Sequence, residues 1–414
     1  MKLLSIEGKI VNFDGEQDAR IEINTETGLI EKVGFAVGIS DIDCKGCLIF
    51  PGFGDLHVHA REDAGGTQNY KEDFFSASQA AINGGVTHFA DMPNNPIAPT
   101  TDVRYEEKEK LTKKSSVYIT LYAGIGPKTS PLSRKVPYKV FMGPSVGDLF
   151  FSSQKELEEV IKNYAGQNIS FHCEDPEILE KNKTALTHEQ QRPAEAEILA
   201  TDFALQLIEK YSLIGKLCHF STKGGLQKII SAKKKGVKVT CEVTPHHLFF
   251  DNTMLNEQNR KWLQMNPPLR SADDRLEMIS ALKRGDIDFL ATDHAPHTKQ
   301  EKLKGTSGVP HLDTFGPFTT WLMKEHNFST TDIARVCAYN PGKFVNEFLP
   351  SSFGKGFGKI EEGFMGSFTI VDANKPIAIT AEKLKTKCAW SPFEGITFPG
   401  SVKCTVVAGK VYNH

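Results

Sequence analysis

Two histidines stand two residues apart in the segment DLHVHA, at His57 and His59. Side chains two apart on a β-strand point to the same face, so both imidazoles would leave such a strand together. Imidazole is a common metal ligand, and two that converge form a natural chelate. Taken alone, the pair fits two hydrogen-bonded histidines on a half-buried strand equally well.

Three further side chains of ligand type stand at the ends of short apolar runs. His172 follows ISF, His219 follows KLC and Asp293 follows IDFLAT. Packing does not readily explain four histidines and an aspartate at matching ends of separate runs. Mixed imidazole and carboxylate ligands suit a catalytic zinc-type site. So many ligands favour two metals that share one bridge over a single metal.

Lys139 lies at the start of another apolar run, KVFMG. Buried lysines are rare unless they are paired, and this one has no acidic neighbour in sequence. An ammonium has three donors and no acceptor, so it cannot bind a metal as it stands. Two metals held mainly by neutral imidazoles need an anionic bridge, and on this run only Lys139 is available to provide one.

The elements that would position these side chains repeat along the chain. Eight apolar runs are each followed by a polar or glycine-rich loop, and several of the gaps show helical periodicity. The runs are residues 53–60, 86–92, 117–124, 139–143, 169–174, 216–221, 238–244 and 287–294. Eight βα units in about 300 residues match a TIM barrel, whose active site is built at the carboxyl ends of its strands. The residues near those ends are His57, His59, Asn94, His172, His219 and Asp293.

The two ends of the chain follow another pattern, with short β-like runs separated by turn residues. We therefore predict an α/β protein with two parts. A (β/α)8 TIM barrel would span residues 51–359, and residues 1–50 and 360–414 would form one small β-sandwich-like domain.

Composition narrows the class of protein. Of the 414 residues, 39% are hydrophobic and 24% charged, and the net charge of -2 does not indicate a nucleic-acid or anionic-membrane partner. The amino terminus is too weakly apolar for a signal peptide, and no run is long enough to span a bilayer. Eight cysteines without a disulfide-framework spacing suit a reducing cytoplasm. We expect a cytoplasmic protein that acts on a small molecule.

Seven motifs together resemble the dihydroorotases of the cyclic amidohydrolase superfamily. In chain order they are PGFGDLHVHARE, DMPN, FHCED, CEVTPHHL, MNPPLR, ATDHAPH and SPFEG. The resemblance implies two zinc ions per subunit. His57 and His59, with Asp293, would hold the more buried ion, and His172 and His219 would hold the other.

The resemblance also implies an identity for the bridge. In many family members a lysine is carboxylated by carbon dioxide, and the resulting carbamate offers one oxygen to each metal beside a bridging hydroxide. Lys139 matches that lysine. Other members use an aspartate, and Asp148 in SVGDLF is the alternative.

The implied reaction is the reversible interconversion of L-dihydroorotate and N-carbamoyl-L-aspartate in pyrimidine synthesis. Asp293 would act as the general acid–base. Arg61, two residues beyond His59, points to the same side and could grip the substrate carboxylate. Asn94 and His297 match the family's other carboxylate-contacting positions, and Asn266 matches one that contacts the ring.

Two segments depart from the family pattern and bear on substrate choice. Residues 64–70 are extra and faintly resemble hydantoinases, and residues 307–314 carry His311 and Asp313 in place of a different loop. The alternatives are another cyclic amidohydrolase (a hydantoinase, dihydropyrimidinase or allantoinase) or a non-catalytic scaffold for another pyrimidine enzyme. A homodimer is a family-level expectation, and association with aspartate transcarbamoylase stays open.

Overall fold

The computed structural model describes residues 2–35, 39–144 and 149–414. Asp148, the alternative bridge, lies outside the described residues. Within those ranges, none of the helices is both long and apolar enough to cross a lipid bilayer.

Strands of the first 51 residues pair with strands near the carboxyl terminus. The first four are β1 (Leu3–Asn12), β2 (Gly15–Asn24), β3 (Ile30–Gly34) and β4 (Ile42–Pro51). The last five are β14 (Phe368–Asp372), β15 (Ile377–Ala378), β16 (Thr397–Phe398), β17 (Ser401–Val407) and β18 (Lys410–Asn413). Seven of them form one mixed sheet in the order β18-β17-β14-β4-β1-β2-β3, with its own apolar core. The division of the chain into two domains at residues 50 and 360 stays a prediction.

The middle of the chain supplies parallel strands. They are β5 (Phe53–Val58), β6 (Val86–Asp91), β7 (Tyr118–Leu121), β8 (Ala123–Ile125), β9 (Tyr138–Phe141), β10 (Asn168–His172), β11 (Ile214–Leu217), β12 (Val239–Val243) and β13 (Phe289–Leu290). They pair as β5-β6-β7 and as β13-β12-β11-β10-β9-β8. Tyr122 alone separates β7 from β8, and a bridge between Val58 and His294 joins the two outer edges. The predicted TIM barrel is thereby confirmed.

Helices alternate with these strands. They are α1 (Phe74–Asn83), α2 (Asp102–Leu111), α3 (Gln154–Ile161), α4 (Pro176–Asn182), α5 (His188–Gln191), α6 (Ala194–Lys210), α7 (Lys223–Lys234), α8 (Pro245–Phe249), α9 (Ala272–Arg284), α10 (Lys299–Leu303), α11 (Phe315–Glu325), α12 (Thr330–Ala334) and α13 (Asn340–Val345). Local signals set their ends: Ser271 and Asp274 form a capping box at the start of α9, and Gly285 ends it in the left-handed region.

Each of the eight predicted runs contains a strand, but two are shorter or more broken than predicted. The run 117–124 is divided at Tyr122, and the run 287–294 is a strand only at Phe289–Leu290. Beyond Leu290 the backbone leaves the extended conformation, because Asp293 adopts a φ of 50°. This bend brings the Asp293 carboxylate toward the histidines.

Candidate active site

Every candidate residue that the sequence predicts within the described ranges, except Lys139, lines one cavity of about 290 Å³. The cavity lies at the carboxyl ends of the barrel strands, where side chains from distant parts of the chain converge. Its predicted members are His57, His59, Arg61, Asn94, His172, His219, Asn266, Asp293 and His297. Lys139 lies fully buried inside the barrel.

Three acceptors converge at one side of the cavity. The Nε2 atoms of His57 and His59 lie 3.2 and 3.0 Å from Oδ1 of Asp293. The Nδ1 atom of His57 contacts the carboxylate of Glu242, and that of His59 lies 2.7 Å from Oδ1 of Asn94. Since an acceptor occupies each Nδ1 position, the proton of each imidazole is on Nδ1 and the lone pair of Nε2 faces Asp293. Such a convergence of acceptors calls for a cation.

A second pair of imidazoles meets beside the first. Nδ1 of His172 lies 2.8 Å from Nε2 of His219, while Nε2 of His172 lies 2.8 Å from the carboxylate of Glu174. With the His172 proton directed at Glu174, its Nδ1 lone pair faces His219. The other ring nitrogen of His219 has no hydrogen-bond partner among the described residues. This pair is also suited to a shared cation.

The charge states of these histidines suit metal ligation. Burial, followed by the positive charge of Lys139, holds the pKa of His57 well below its ordinary value. Burial, followed by the charge of Arg61, does the same for His59. Neutral imidazole is the form that binds metals. Burial raises the pKa of Asp293 from 3.8 to about 7, so its proton is in balance near neutrality.

Lys139 projects from β9 into the dry interior of the barrel. Its Nζ lies 2.8 Å from Sγ of Cys218 and 5.1 Å from the centre of the Phe141 ring. Among the described residues, no carboxylate lies within ion-pair distance of it. A thiol is a weak acceptor, so the three donors of an ammonium are poorly satisfied here.

Another group of donor atoms does not suit a metal. His57, Cys218 and Glu242 also place three donors close together. Two cations already occupy their surroundings, because Lys216 contacts Glu242 and lies 3.8 Å from Cys218, while Lys139 lies 2.8 Å from the same sulfur. Among the described residues, the remaining group of donors close enough for a metal, His57, His219 and Asp293, takes ligands from both pairs of imidazoles, so the two proposed metal positions are adjacent.

Backbone strain coincides with the cavity. Arg61, His219 and Asp293 adopt positive φ values of 63°, 35° and 50°, which side-chain-bearing residues rarely adopt. Strained residues of this kind persist where the surroundings fix them, and they cluster at functional sites.

Arg61 is buried at the cavity wall. It is 4% exposed, its Nε donates to the Pro296 carbonyl at 3.3 Å, and its Nη2 lies 3.2 Å from Nε2 of His297. The described part of the chain gives it no acidic partner at ion-pair distance. Its sequence neighbours are engaged elsewhere: Glu62 pairs with Lys114, and Asp63 accepts from backbone amides.

The two departures from the family pattern lie mostly away from the cavity. Residues 64–70 do not line it, whereas Ser307 and Gly308 do. His311 does not line the cavity, and its Nε2 atom lies 2.9 Å from Nδ1 of His246. Asp313 accepts from Asn83 at 2.8 Å and from the amides of residues 385 and 386.

Several residues near the site escaped the prediction. Glu242 and Glu174 contact His57 and His172, and Arg192 and Lys216 contact those carboxylates. Trp390 donates its indole proton to the His297 carbonyl at 2.7 Å. A signal existed for the two glutamates, since each stands in a motif, FHCED or CEVTPHHL.

Comparisons with known proteins agree with this geometry. The sequence profile described as "Amidohydrolase family" matches residues 139–412. The chain belongs to the amidohydrolase family.

Curated relatives of this amidohydrolase are named dihydroorotase. The protein of Thermococcus kodakarensis is 35% identical over 94% of this chain and 90% of its own length. The protein of Methanosphaera stadtmanae is 32% identical over 98% of this chain and 94% of its own length. The protein of Bacillus pumilus is 31% identical over 99% of this chain and 98% of its own length.

Solved structures with the same fold include hydantoinases. The L-hydantoinase of Arthrobacter aurescens superposes with a TM-score of 0.88 at 23% identity, covering 99% of this chain and 96% of its own. The dihydropyrimidinase of Brevibacillus agri superposes with a TM-score of 0.84 at 21% identity, covering 99% of this chain and 95% of its own. At this identity the similarity is one of fold.

Proposed function

We propose that this amidohydrolase is a dihydroorotase, which interconverts L-dihydroorotate and N-carbamoyl-L-aspartate. The observation that carries the proposal is Arg61, a buried guanidinium that faces the cavity without an acidic partner among the described residues. A buried charge is costly unless it is paired, so Arg61 calls for an anionic ligand. Dihydroorotate carries a carboxylate, whereas dihydrouracil and the parent hydantoin do not.

The cofactor of this proposal is a pair of zinc ions. His57 and His59, with Asp293, would hold one ion, and His172 and His219 the other. The converging lone pairs support this assignment. When bound, the metal pair would activate water and polarise the amide carbonyl.

A carboxylated Lys139 would provide the bridging anion. Among the described residues, no carboxylate pairs with the buried ammonium of Lys139, whose partner is the weak acceptor Cys218. Carboxylation would convert this ammonium into an anion with two oxygens. Asp148 remains the named alternative for the bridge.

Residues of the chain would hold the substrate and move the proton. Arg61 would bind the substrate carboxylate, together with the amide NH₂ of Asn94, whose Oδ1 is occupied by His59. Asn266 lies on the cavity wall, and its side-chain oxygen, which has no hydrogen-bond partner among the described residues, would accept from the ring. Oδ1 of Asp293 faces the two imidazoles, so its Oδ2 would carry the proton to the ring nitrogen.

His297 would complete the carboxylate site as a neutral imidazole beside Arg61. Burial, followed by the charges of Arg61 and Lys71, holds its pKa far below the ordinary value. Two residues contact His297 from outside the cavity. The indole N–H of Trp390 donates to its carbonyl at 2.7 Å, and Nζ of Lys71 lies 3.3 Å from its Nδ1.

The proposal includes a cellular location and an oligomeric state for the enzyme. All eight cysteines are free and buried, which supports a cytoplasmic location. A homodimer is proposed from the family resemblance alone.

Turnover assays on zinc-loaded protein test the proposal. We expect ring opening of dihydroorotate and ring closure of N-carbamoyl-aspartate by the same preparation, with little turnover of hydantoin or allantoin. Arg61→Gln should reduce kcat/KM for dihydroorotate by about 10²-fold or more, the cost of losing a charged hydrogen-bonding partner. Turnover of hydantoin or allantoin without dihydroorotate would refute the assignment, and a zinc-loaded protein with no activity would favour the scaffold alternative.

A further inference from the structure

A buried ion pair lies in the barrel interior beside the acceptor cluster. Lys216 on β11 contacts Glu242 on the neighbouring strand β12. Their side chains are 1% and 0% exposed. A buried ion pair seldom adds to stability over apolar packing, so its presence invites a functional explanation.

Glu242 touches both groups of candidate ligands. One carboxylate oxygen, Oε1, contacts Nδ1 of His57 and also accepts the backbone N–H of His219 at 3.2 Å. The other oxygen, Oε2, contacts Lys216. One side chain thereby fixes the ring of a ligand from the first group and the backbone of a ligand from the second.

The second group has a similar arrangement. His172 is backed by Glu174, and Glu174 is in turn contacted by Arg192. His59, in contrast, is backed by the neutral amide of Asn94. Each proposed metal position therefore has one imidazole that is supported by a carboxylate and a cation.

His219 depends on this support more than its neighbours do. Its φ of 35° is strained, and its Nδ1 has no partner in the described part of the chain. The hydrogen bond from its backbone to Glu242 holds the strained peptide in place. Without it, the residue could relax and turn its Nε2 away from His172.

We propose that Glu242, backed by Lys216, is a positioning residue for both metals: it orients the His57 ring and fixes the His219 backbone. Lys216 is the cation paired with Glu242 in the buried interior of the barrel. The inference rests on the metal centre of the proposed function, but not on the identity of the substrate. Carboxylates behind ligating histidines typically contribute 10- to 100-fold to metal affinity.

Zinc affinity, measured by chelator competition, tests this role without any assay of turnover. Glu242→Gln keeps the shape and removes the charge, and we expect zinc to bind about 10- to 100-fold more weakly. The visible spectrum of the cobalt-substituted variant should also shift, since it reports ligand geometry. Because Glu242→Gln leaves Lys216 buried and unpaired, the double variant Lys216→Met with Glu242→Gln is tested beside it. Without metal, the double variant should melt near the wild-type temperature. Its zinc affinity should nevertheless stay weak.

Asp288→Asn is the matched control. Asp288 pairs with Lys233 at 2.7 Å, and its carboxylate also accepts the Cys241 N–H at 2.8 Å on the strand that carries Glu242. It contacts none of the candidate ligands, so zinc affinity and the cobalt spectrum should match the wild type.

Each outcome separates this inference from the substrate assignment. A double variant with wild-type zinc affinity and cobalt spectrum overturns the role of Glu242, even if dihydroorotate is turned over normally. If the double variant binds zinc more weakly but the zinc-loaded wild type does not turn over dihydroorotate, the role of Glu242 is supported and the substrate assignment is refuted. A wild-type protein that binds no divalent metal overturns both.

Discussion

At the scale of single residues, His172, His219 and Asp293 were predictable because each one stands at the end of an apolar run. The end of a run marks the end of a strand, and in a barrel the strand ends meet. Glu242 escaped this reasoning, although it is fully buried. It stands in mid-strand, and its partner His57 is 185 residues away, so only the closed barrel reveals their contact.

Lys139 carries the first prediction. In bicarbonate buffer, the intact mass of the native protein should exceed the sequence mass by one carbon dioxide, and acid should release it. The Lys139→Ala variant should lose its zinc. Its kcat should fall by about 10³-fold or more, since a metal centre supplies several kcal/mol of transition-state stabilisation. Short carboxylates such as acetate should restore part of this activity by filling the bridging position.

Lys216→Met serves as the comparison, because Lys216 is also buried but is already paired with Glu242. Acetate should not restore its activity. An active, zinc-loaded wild-type protein with unmodified Lys139 would contradict the carbamate bridge.

We expect the proposed zinc binding to depend on pH through Asp293. Burial raises its pKa to about 7, so in the metal-free protein the carboxyl stays protonated well above its ordinary value of 3.8. The stability that this proton gives is present below about pH 4 and is lost as the pH rises through 7. Zinc needs the carboxylate, so its affinity should rise up to about pH 7 and then level off.

Chelator competition between pH 5.5 and 8.5 measures this dependence. His57 and His59 contribute little to it, because burial holds the pKa of each well below its ordinary value. Asp293→Asn should flatten the rise. An identical pH dependence in wild type and variant would show that Asp293 does not exchange its proton for the metal.

At the scale of elements, the eight strand positions followed from local pattern, but the loops around the cavity did not. Loop 306–308 reaches the cavity wall because of Lys302 on α10. Its Nζ donates to the carbonyls of Gln264, Thr306 and Gly308 at 2.9, 2.8 and 2.9 Å. A lysine in a short charged helix gives no sequence signal of such a role, since charged helix residues are usually solvated.

Lys302 therefore carries a prediction about substrate binding. Lys302→Met removes three hydrogen bonds, two of them to carbonyls of the loop itself, at Thr306 and Gly308. We expect the loop to loosen and KM for dihydroorotate to rise about tenfold, with a smaller change in kcat. Lys299→Met, an exposed position on the same helix, should leave both constants unchanged. A folded Lys302→Met variant with wild-type KM would show that the anchored loop does not contribute to the substrate site.

At the scale of the whole molecule, the fold alone does not choose the reaction. Hydantoinases and a dihydropyrimidinase share nearly the whole fold of this chain at 21–23% identity. The candidate ligands would serve any of these reactions, since each opens a cyclic amide. We infer the reaction from the buried Arg61, which has no acidic partner among the described residues, and from its neighbours at the cavity wall.

The ratio of kcat/KM for dihydroorotate to that for dihydrouracil tests this claim most directly. Dihydrouracil is dihydroorotate without the carboxylate, so the ratio isolates the contribution of the proposed Arg61 site. Sites built to hydrogen-bond a substrate group reject analogues that lack it by about 10⁴-fold or more. The account predicts a preference of that order for dihydroorotate in the zinc-loaded protein. A ratio near one, or a preference for dihydrouracil, would contradict it.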